Sequence, residues 1–361
     1  MKLMASVRLT TARWLLLTTL TIPLLAQAAD SDARSWLERM SKALTERNYD
    51  GRFIHSDNNQ SETLRIVHRN LRGKITERLV SLDGSGREYI RTNTQVTCYM
   101  PDTRTVLVEH RPDSDALLTL IPEYRAGLEA YYDISVGAET MILGRRAQLL
   151  TVQPRDEFRY GYRLWLDADS AMPLKSQLFN HHGRIIEQVV FAELKLLEQI
   201  ADSDLHHSVN ATGYEWIRQE ERRHTISAAS IGWRVNNLPA GFKLRFTRLQ
   251  SMAGSDAPVR HLVYSDGLAT VSVFIEPMSK QDEPGSGLQR VGSAFAFHVD
   301  AAGYQVTAVG AVPLITVKSM VGSLTRESAQ EMTQEAESEF AHQSDHDSSQ
   351  SSSAQLQVTI K

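Results

Sequence analysis

Residues 261–277 read HLVYSDGLATVSVFIEP and bring a His, a Ser and an Asp within six positions. These are the side-chain types of nucleophilic acyl transfer: a hydroxyl to attack, an imidazole to take its proton, and a carboxylate to orient the imidazole. Their spacing suits a turn better. Asp266-Gly267 is a hairpin signal, because glycine accepts positive φ without steric cost. Asp266 is placed to bond its own backbone in that turn. Beyond it Val271, Val273 and Ile275 fall on one face of a strand, with Thr270 and Ser272 on the other. His261 stands five residues before Asp266 and has no third group assigned to it. The chain has neither a G-x-S-x-G elbow nor an S-x-x-K followed by K-T-G. The stretch therefore reads as architecture, with a hydrolase of unrecognised type as the minor alternative.

Other candidate chemistry is sparse. The one cysteine, Cys98, alternates with apolar neighbours in QVTCYM and reads as a buried small hydrophobe. A reactive thiol or an intermolecular bridge is the alternative. His181-His182, His206-His207 and the HQSDHD of the tail carry metal-ligand residue types. However, neighbours on a strand point to opposite faces, the second pair lies in a polar linker, and neither H-E-x-x-H nor paired Cys occurs. We expect no metal and no cofactor. Gly84-Ser85-Gly86 and Gly285-Ser286-Gly287 lack the strand-to-helix setting of a phosphate loop. A net charge of −4 in 361 residues argues against nucleic acid as a partner.

The elements around these residues follow from patterning. Lys2, Arg8 and Arg13, the apolar run Trp14–Ala26 and the small-residue motif Ala26-Gln27-Ala28 form a secretory signal peptide with its cut after Ala28. The alternative, a membrane anchor, has a run too short to span, since a span needs roughly 20 residues. No Cys stands at the cut, so a lipoprotein is not expected. The chain left after the cut is longer than one core comfortably fills, so two domains are expected. Asp30–Asn48 has Trp36, Met40 and Leu44 at helical spacing, flanked by Ala33 and Leu37, with Ser31 or Asp32 as its cap. Short strands with Gly, Asp and Pro turns then follow in an antiparallel meander. Residues 114–135 interrupt it as a loop with short helices. In YGYRLWLDADSAMPLKSQLFN, Tyr162, Leu164 and Leu166 share a face and Asp167–Pro173 is the turn. IIEQVVFAEL, residues 185–194, is apolar on both sides and reads as a sandwiched strand.

Residues 202–225 are polar and read as a linker, and a second β-rich domain follows over 226–325. Pro313 stands at the start of its helix, at an N1-like position. From Arg326 to Lys361 there are seven acidic and two basic residues, a net −5, so the chain before it nets about +1. The glutamate spacing there extends the preceding helix to about Phe340, with disorder expected in the Ser/Gln-rich remainder.

Four blocks occur in order: DARSWLERMSKALTERNYDGRFIH, ERLVSLDGSGREYIRTNTQVTCYMPD, YSDGLATVSVFIE and YQVTAVGAVP. Together they resemble the RseB/MucB family of periplasmic regulators of the envelope-stress sigma factor, sigma-E, over roughly Asp32 to Leu324. The acidic tail lies outside the family's pattern. The resemblance implies an α+β chain. Its N-terminal domain, 29–201, would be a curved, unclosed antiparallel sheet with helices in its concavity, similar to the lipoprotein carriers LolA and LolB. Its C-terminal domain would be a smaller α/β unit. It further implies a non-enzymatic negative regulator that binds the periplasmic domain of a transmembrane anti-sigma factor (RseA or MucA). Binding would shield that factor from site-1 proteolysis, and lipopolysaccharide or the acyl chains of mislocalised lipoprotein would release it. A lipid or lipoprotein carrier is the alternative. A homodimer stays open, and the sequence assigns no residue to the anti-sigma factor or to lipid.

Overall fold

The computed structural model describes residues 24–57, 60–110, 127–219, 224–225, 232–250, 257–278 and 285–326. The apolar run Trp14–Ala26, most of the loop over 114–135 and the acidic tail beyond Arg326 lie largely outside these.

Helix α1 spans Leu24–Glu46. Ala33, Leu37, Met40 and Ala43 form its buried stripe, and Trp36 and Leu44 flank it, as the spacing predicts. It begins before Ser31 and Asp32, which therefore lie inside the helix and not at its cap. The reason is local: Leu24 to Ala29 are strong helix formers and continue the helix backwards.

The strands of the N-terminal sheet are β1 (Asn48–Asp57), β2 (Ser61–Leu71), β3 (Lys74–Ser81), β4 (Glu88–Thr92), β5 (Gln95–Met100), β6 (Thr105–His110), β7 (Tyr132–Ile142), β8 (Arg145–Pro154), β9 (Gly161–Asp167), β10 (Pro173–Phe179), β11 (Ile185–Leu197) and β12 (Glu215–Gln219). They run in the order β12-β6-β5-β4-β3-β2-β1-β11-β10-β9-β8-β7. All described pairings are antiparallel except β12 on β6. The meander breaks twice, where β11 returns to pair with β1, Phe53 opposite Phe191, and where β12 returns to pair with β6. β12 and β7 are the two ends of this order, so the sheet is unclosed. It nevertheless wraps α1, since one apolar cluster joins the helix stripe to Tyr49 and Phe53 of β1, Leu64 and Ile66 of β2, and Ile134 of β7 at the far end. Burying each such large side chain contributes about 1.5–3 kcal/mol.

Two readings change here. β11 is sandwiched only in part: Val189 and Phe191 face the core and Ile186 is buried against Tyr160 and Leu178, whereas Val190 is half-buried and Ile185 is exposed. The outer face of the strand is covered only in part, so its apolar run reflects strand propensity as well as burial. The 202–225 stretch is also largely built into the N-terminal domain. Helix α2 (Asp202–Leu205) places Leu205 against Val67 and Ile200. The Ser208 hydroxyl and amide donate to Glu88, and β12 extends the sheet.

The C-terminal domain holds β13 (His224–Thr225), β15 (Lys243–Gln250), β16 (Val259–Ser265), β17 (Thr270–Pro277), β18 (Ser286–Val291), β19 (Ala294–Ala301) and β20 (Tyr304–Gly310) in the order β13-β15-β16-β17-β20-β19-β18. β14 (Trp233–Val235) does not form a hairpin with β15; it pairs with β21 (Leu324–Arg326). Helix α3 (Leu314–Gly322) has Pro313 at its cap, one position earlier than expected, and covers Val271, Val273, Ile275, Val306 and Ala308 with Val317 and Met320. It ends at Gly322 and the chain turns into β21, so the glutamates beyond Arg326 do not prolong it.

Candidate functional site

Three polar or apolar zones lie along the concave side of the N-terminal sheet. The middle is the apolar cluster under α1. At the end near the helix C-terminus a buried row crosses the strands. Tyr49 of β1 stacks on His68 of β2 at 4.8 Å. His68 Nδ1 contacts Glu77 Oε1 of β3 at 2.7 Å, and Glu77 Oε2 meets Arg91 Nη1 of β4 at 3.1 Å. His68 and Glu77 are cross-strand partners, as are Glu77 and Arg91, so register alone builds the row. Its other end holds the helix: His68 Nε2 and Asn70 Nδ2 donate to the Thr45 carbonyl at 3.2 and 2.9 Å, capping one of the acceptors a helix leaves unsatisfied.

At the opposite end His55 of β1 donates from Nε2 to Glu187 Oε1 of β11 at 2.5 Å. His55 pairs with Val189 and alternates with Phe53, which places it on the concave face. Nearby Tyr162 has its hydroxyl pushed well above the ordinary value by burial, with Glu187 and Asp266 adding to the effect. The Glu187 hydrogen bond outweighs burial and raises His55 above its ordinary 6.5. A histidine raised on folding adds stability that is complete below the unfolded value, about 6.5, and is lost as pH rises through the folded value. Melting temperature should therefore fall as pH is raised from about 6 to about 8.5, and His55→Gln should remove that part of the fall. Equal pH slopes in the two proteins would refute the assignment.

Among the described residues the two domains meet at a keyed joint around Arg159. Arg159 lies in the loop between β8 and β9 and its side chain is fully buried. Asp156 of the same loop receives Nε and Nη2 at 3.0 and 2.9 Å. From the C-terminal domain, Asp266 Oδ2 receives Nη1 at 2.6 Å and the Ala240 carbonyl receives Nη2 at 2.5 Å. The guanidinium carbon sits 5.3–5.4 Å from the ring centres of Tyr131, Tyr132 and Phe242, an aromatic cage drawn from both domains. Burial works against the guanidinium charge, but Asp156 and Asp266 overcome it and hold its pKa above the usual arginine value. Tyr132 donates its hydroxyl to Asp266 Oδ2 at 2.9 Å, and Thr316 of α3 donates to the Phe158 carbonyl at 2.6 Å. Gly241, at φ +85°, approaches Tyr131 so closely that a Cβ there would lie 2.5 Å from the ring. Glycine is thus required both by the turn and by the contact.

The sequence-derived candidates now have places. Asp266 Oδ1 accepts the Leu268 and Ala269 amides at 2.8 and 2.7 Å, the backbone role expected of it, and Gly267 is at φ 106°. Ser265 donates its hydroxyl to the Ala269 carbonyl at 2.8 Å. His261 is buried elsewhere, stacked on Phe274 at 4.2 Å, with Arg248 Nε donating to its Nδ1. The three side chains thus serve turn, joint and stacking and do not converge. Cys98 is buried and free, and burial raises its thiol pKa, which keeps it protonated. His181 and His182 lie in the β10–β11 turn and not on a strand; their rings sit 3.8 Å apart. Among the described residues no three His, Cys, Asp or Glu side chains gather as a metal site would require. The sequence reading missed Arg159, Tyr132 and the whole joint. The only local sign was a charged pair, Asp156 and Arg159, inside a short connection between two apolar strands.

An open β-sheet wrapped around a helix, apolar in the middle and polar at its ends, keyed to a second β domain, is the build of a two-domain binding protein. The chain belongs to the MucB/RseB family: residues 32–209 match its N-terminal domain and residues 227–325 its C-terminal domain. It is 32% identical over 326 residues to the sigma factor AlgU regulatory protein MucB of Pseudomonas aeruginosa, covering 89% of this chain and 98% of that protein. It is 25% identical to the sigma-E factor regulatory protein RseB of Haemophilus influenzae, covering 82% and 92%. Among solved structures it is similar to MucB in the Pseudomonas aeruginosa MucA/MucB complex, with TM-score 0.66 and 29% identity over 82% of this chain and all of that one. A crystal structure of MucB gives a TM-score of 0.60 at 30% identity, covering 82% and 98%.

Proposed function

We propose that the protein is a periplasmic, non-enzymatic negative regulator of sigma-E signalling. It binds the periplasmic domain of a transmembrane anti-sigma factor of the MucA/RseA kind and shields it from site-1 proteolysis. One observation carries this reading: both family domains match in order over 32–325, and the joint holds the two together. In that reading residues 1–28 are the leader that exports the chain, and the acidic tail after 325 is an addition outside the regulatory unit. The apolar concavity is the place for acyl chains of lipopolysaccharide or misplaced lipoprotein, each buried methylene contributing about 0.8 kcal/mol. Occupancy there releases the anti-sigma factor.

The experiment is protection. Full-length mature protein is mixed with the periplasmic domain of the anti-sigma factor and challenged with the site-1 protease. The expected result is binding at roughly micromolar or tighter and a slowed first cut, with both effects weakened by lipopolysaccharide. Folded protein that neither binds nor protects would reject the reading. A lipid or lipoprotein carrier is the second reading, favoured by the concavity alone. It predicts that deletion blocks lipoprotein sorting, whereas the regulator predicts a viable deletion with raised sigma-E activity.

A further inference from the structure

Leu268 belongs to the C-terminal domain by sequence and to the N-terminal domain by packing. It sits at the tip of the β16–β17 hairpin and lies against the apolar cluster that joins α1, Tyr132, Val152 and Leu164. Its neighbour Ala269 packs the other way, against the C-terminal cluster of Tyr264 and Val271. One carboxylate fixes this split. Asp266 Oδ1 holds the Leu268 and Ala269 amides and so sets the shape of the tip. Asp266 Oδ2 holds Arg159 and Tyr132 and so sets where the tip lies. Tyr132 is itself part of the apolar cluster. The wall of the concavity, the hairpin tip and the domain joint therefore share atoms.

We propose that the Ser265–Ala269 tip is a removable stopper in the wall of the concavity, and that a single alkyl chain displaces it. The inference rests on the lipid-binding part of the proposed function and adds the device that reports occupancy. Protein interiors are close-packed, so methylenes enter only where a side chain leaves. Leu268 is an aliphatic group that leaves without breaking the N-terminal sheet, because it enters the cluster from outside that sheet. Its withdrawal moves Asp266 away from Arg159, and the joint opens. By reciprocity, whatever holds the joint closed weakens the alkyl ligand by the same factor. A ligand with no preference between the open and closed forms would shift nothing, so the preference must come from the wall that Leu268 covers.

The test uses the full mature chain and dodecanoate as the probe. Titration calorimetry compares wild type with Leu268→Ala, each verified as folded by circular dichroism. The expected result is tighter dodecanoate binding by Leu268→Ala, by about fivefold or more, since the competitor is gone. In wild type, hydrogen exchange at residues 156–160 and 265–269 should rise on saturation with dodecanoate. This second readout stands even if Leu268→Ala does not fold. Equal affinity in the two proteins, or exchange at the tip unchanged at saturation, overturns the stopper and leaves the lipid-binding reading in place. No dodecanoate binding by either protein overturns both.

Discussion

Arg159→Ala should uncouple the two domains, giving two thermal transitions where the wild type gives one. Among the described residues the buried guanidinium is the cation that bridges Asp156 and Asp266 in this joint, and its removal leaves the fully buried Asp266 carboxylate facing the hydroxyl of Tyr132 without that counter-charge. Removing one partner of a buried ion pair costs about 3–5 kcal/mol, because the remaining charge stays desolvated. The lost packing of the guanidinium on Tyr131, Tyr132 and Phe242 adds to that. The loss falls on the contact between domains and not on either sheet, so far-ultraviolet circular dichroism should be unchanged. For a domain of this size the less stable transition should drop by roughly 10 °C or more. Asp266→Ala should cost less at the joint, since Asp156 still neutralises Arg159, but it also removes the acceptor for the Leu268 and Ala269 amides. Scanning calorimetry of the three proteins separates these effects. A single transition in Arg159→Ala, within about 2 °C of wild type, would show that the joint does not couple the domains.

What the sequence disclosed and what it hid divide along sequence distance. The turn at Asp266-Gly267 was legible because its chemistry is local: the carboxylate bonds amides two and three residues on. The joint was not, because Asp266 meets Arg159 across 107 residues and Tyr132 across 134. No periodicity encodes such a meeting. The Tyr162, Leu164, Leu166 face and the α1 stripe were legible for the same reason as the turn, since period 2 and period 3.6 are local rules. Strand order was not: β11 returns to β1, pairing Asn48 with Leu197, and only tertiary packing decides that. β11 misled in an instructive way. A run of Ile and Val promises two covered faces, yet the outer face of this strand remains open at Ile185. The polar stretch after Asp202 misled in the other direction. It looked too hydrophilic to pack, but Leu205, Ser208 and β12 each find a partner on the N-terminal sheet, and a few well-placed contacts suffice to hold a polar segment. Chain length and composition gave two domains, family likeness added that the first is an open curved sheet, and neither said which atoms hold the domains together.

Glu77→Ala should be the most damaging single change within the N-terminal domain. Its carboxylate is 1% exposed and lies between His68 on one strand and Arg91 on the next, both buried. Truncation removes the anion that His68 and Arg91 both face and leaves the Arg91 charge in a nearly dry site without it, at a cost of about 3–5 kcal/mol. The damage should spread along the row. His68 is held at one ring nitrogen by Glu77 and at the other by the Thr45 carbonyl, and its ring stacks on Tyr49. Once Glu77 is gone the imidazole is free to turn, and the last turn of α1 loses a donor. Denaturant titration should show the full loss in midpoint, and hydrogen exchange should speed up over 40–46 more than over β9 and β10. Glu77→Gln keeps the volume and one acceptor, so it should lose less than half as much and leave the α1 amides nearly protected. If Glu77→Ala costs under about 1 kcal/mol, the row is merely a surface-like arrangement of charges and the helix is held in the concavity by its apolar stripe alone. If apolar chains enter the concavity as proposed, they compete with the apolar contacts of α1, whereas a hydrogen-bonded anchor at the end of the helix is insensitive to such competition.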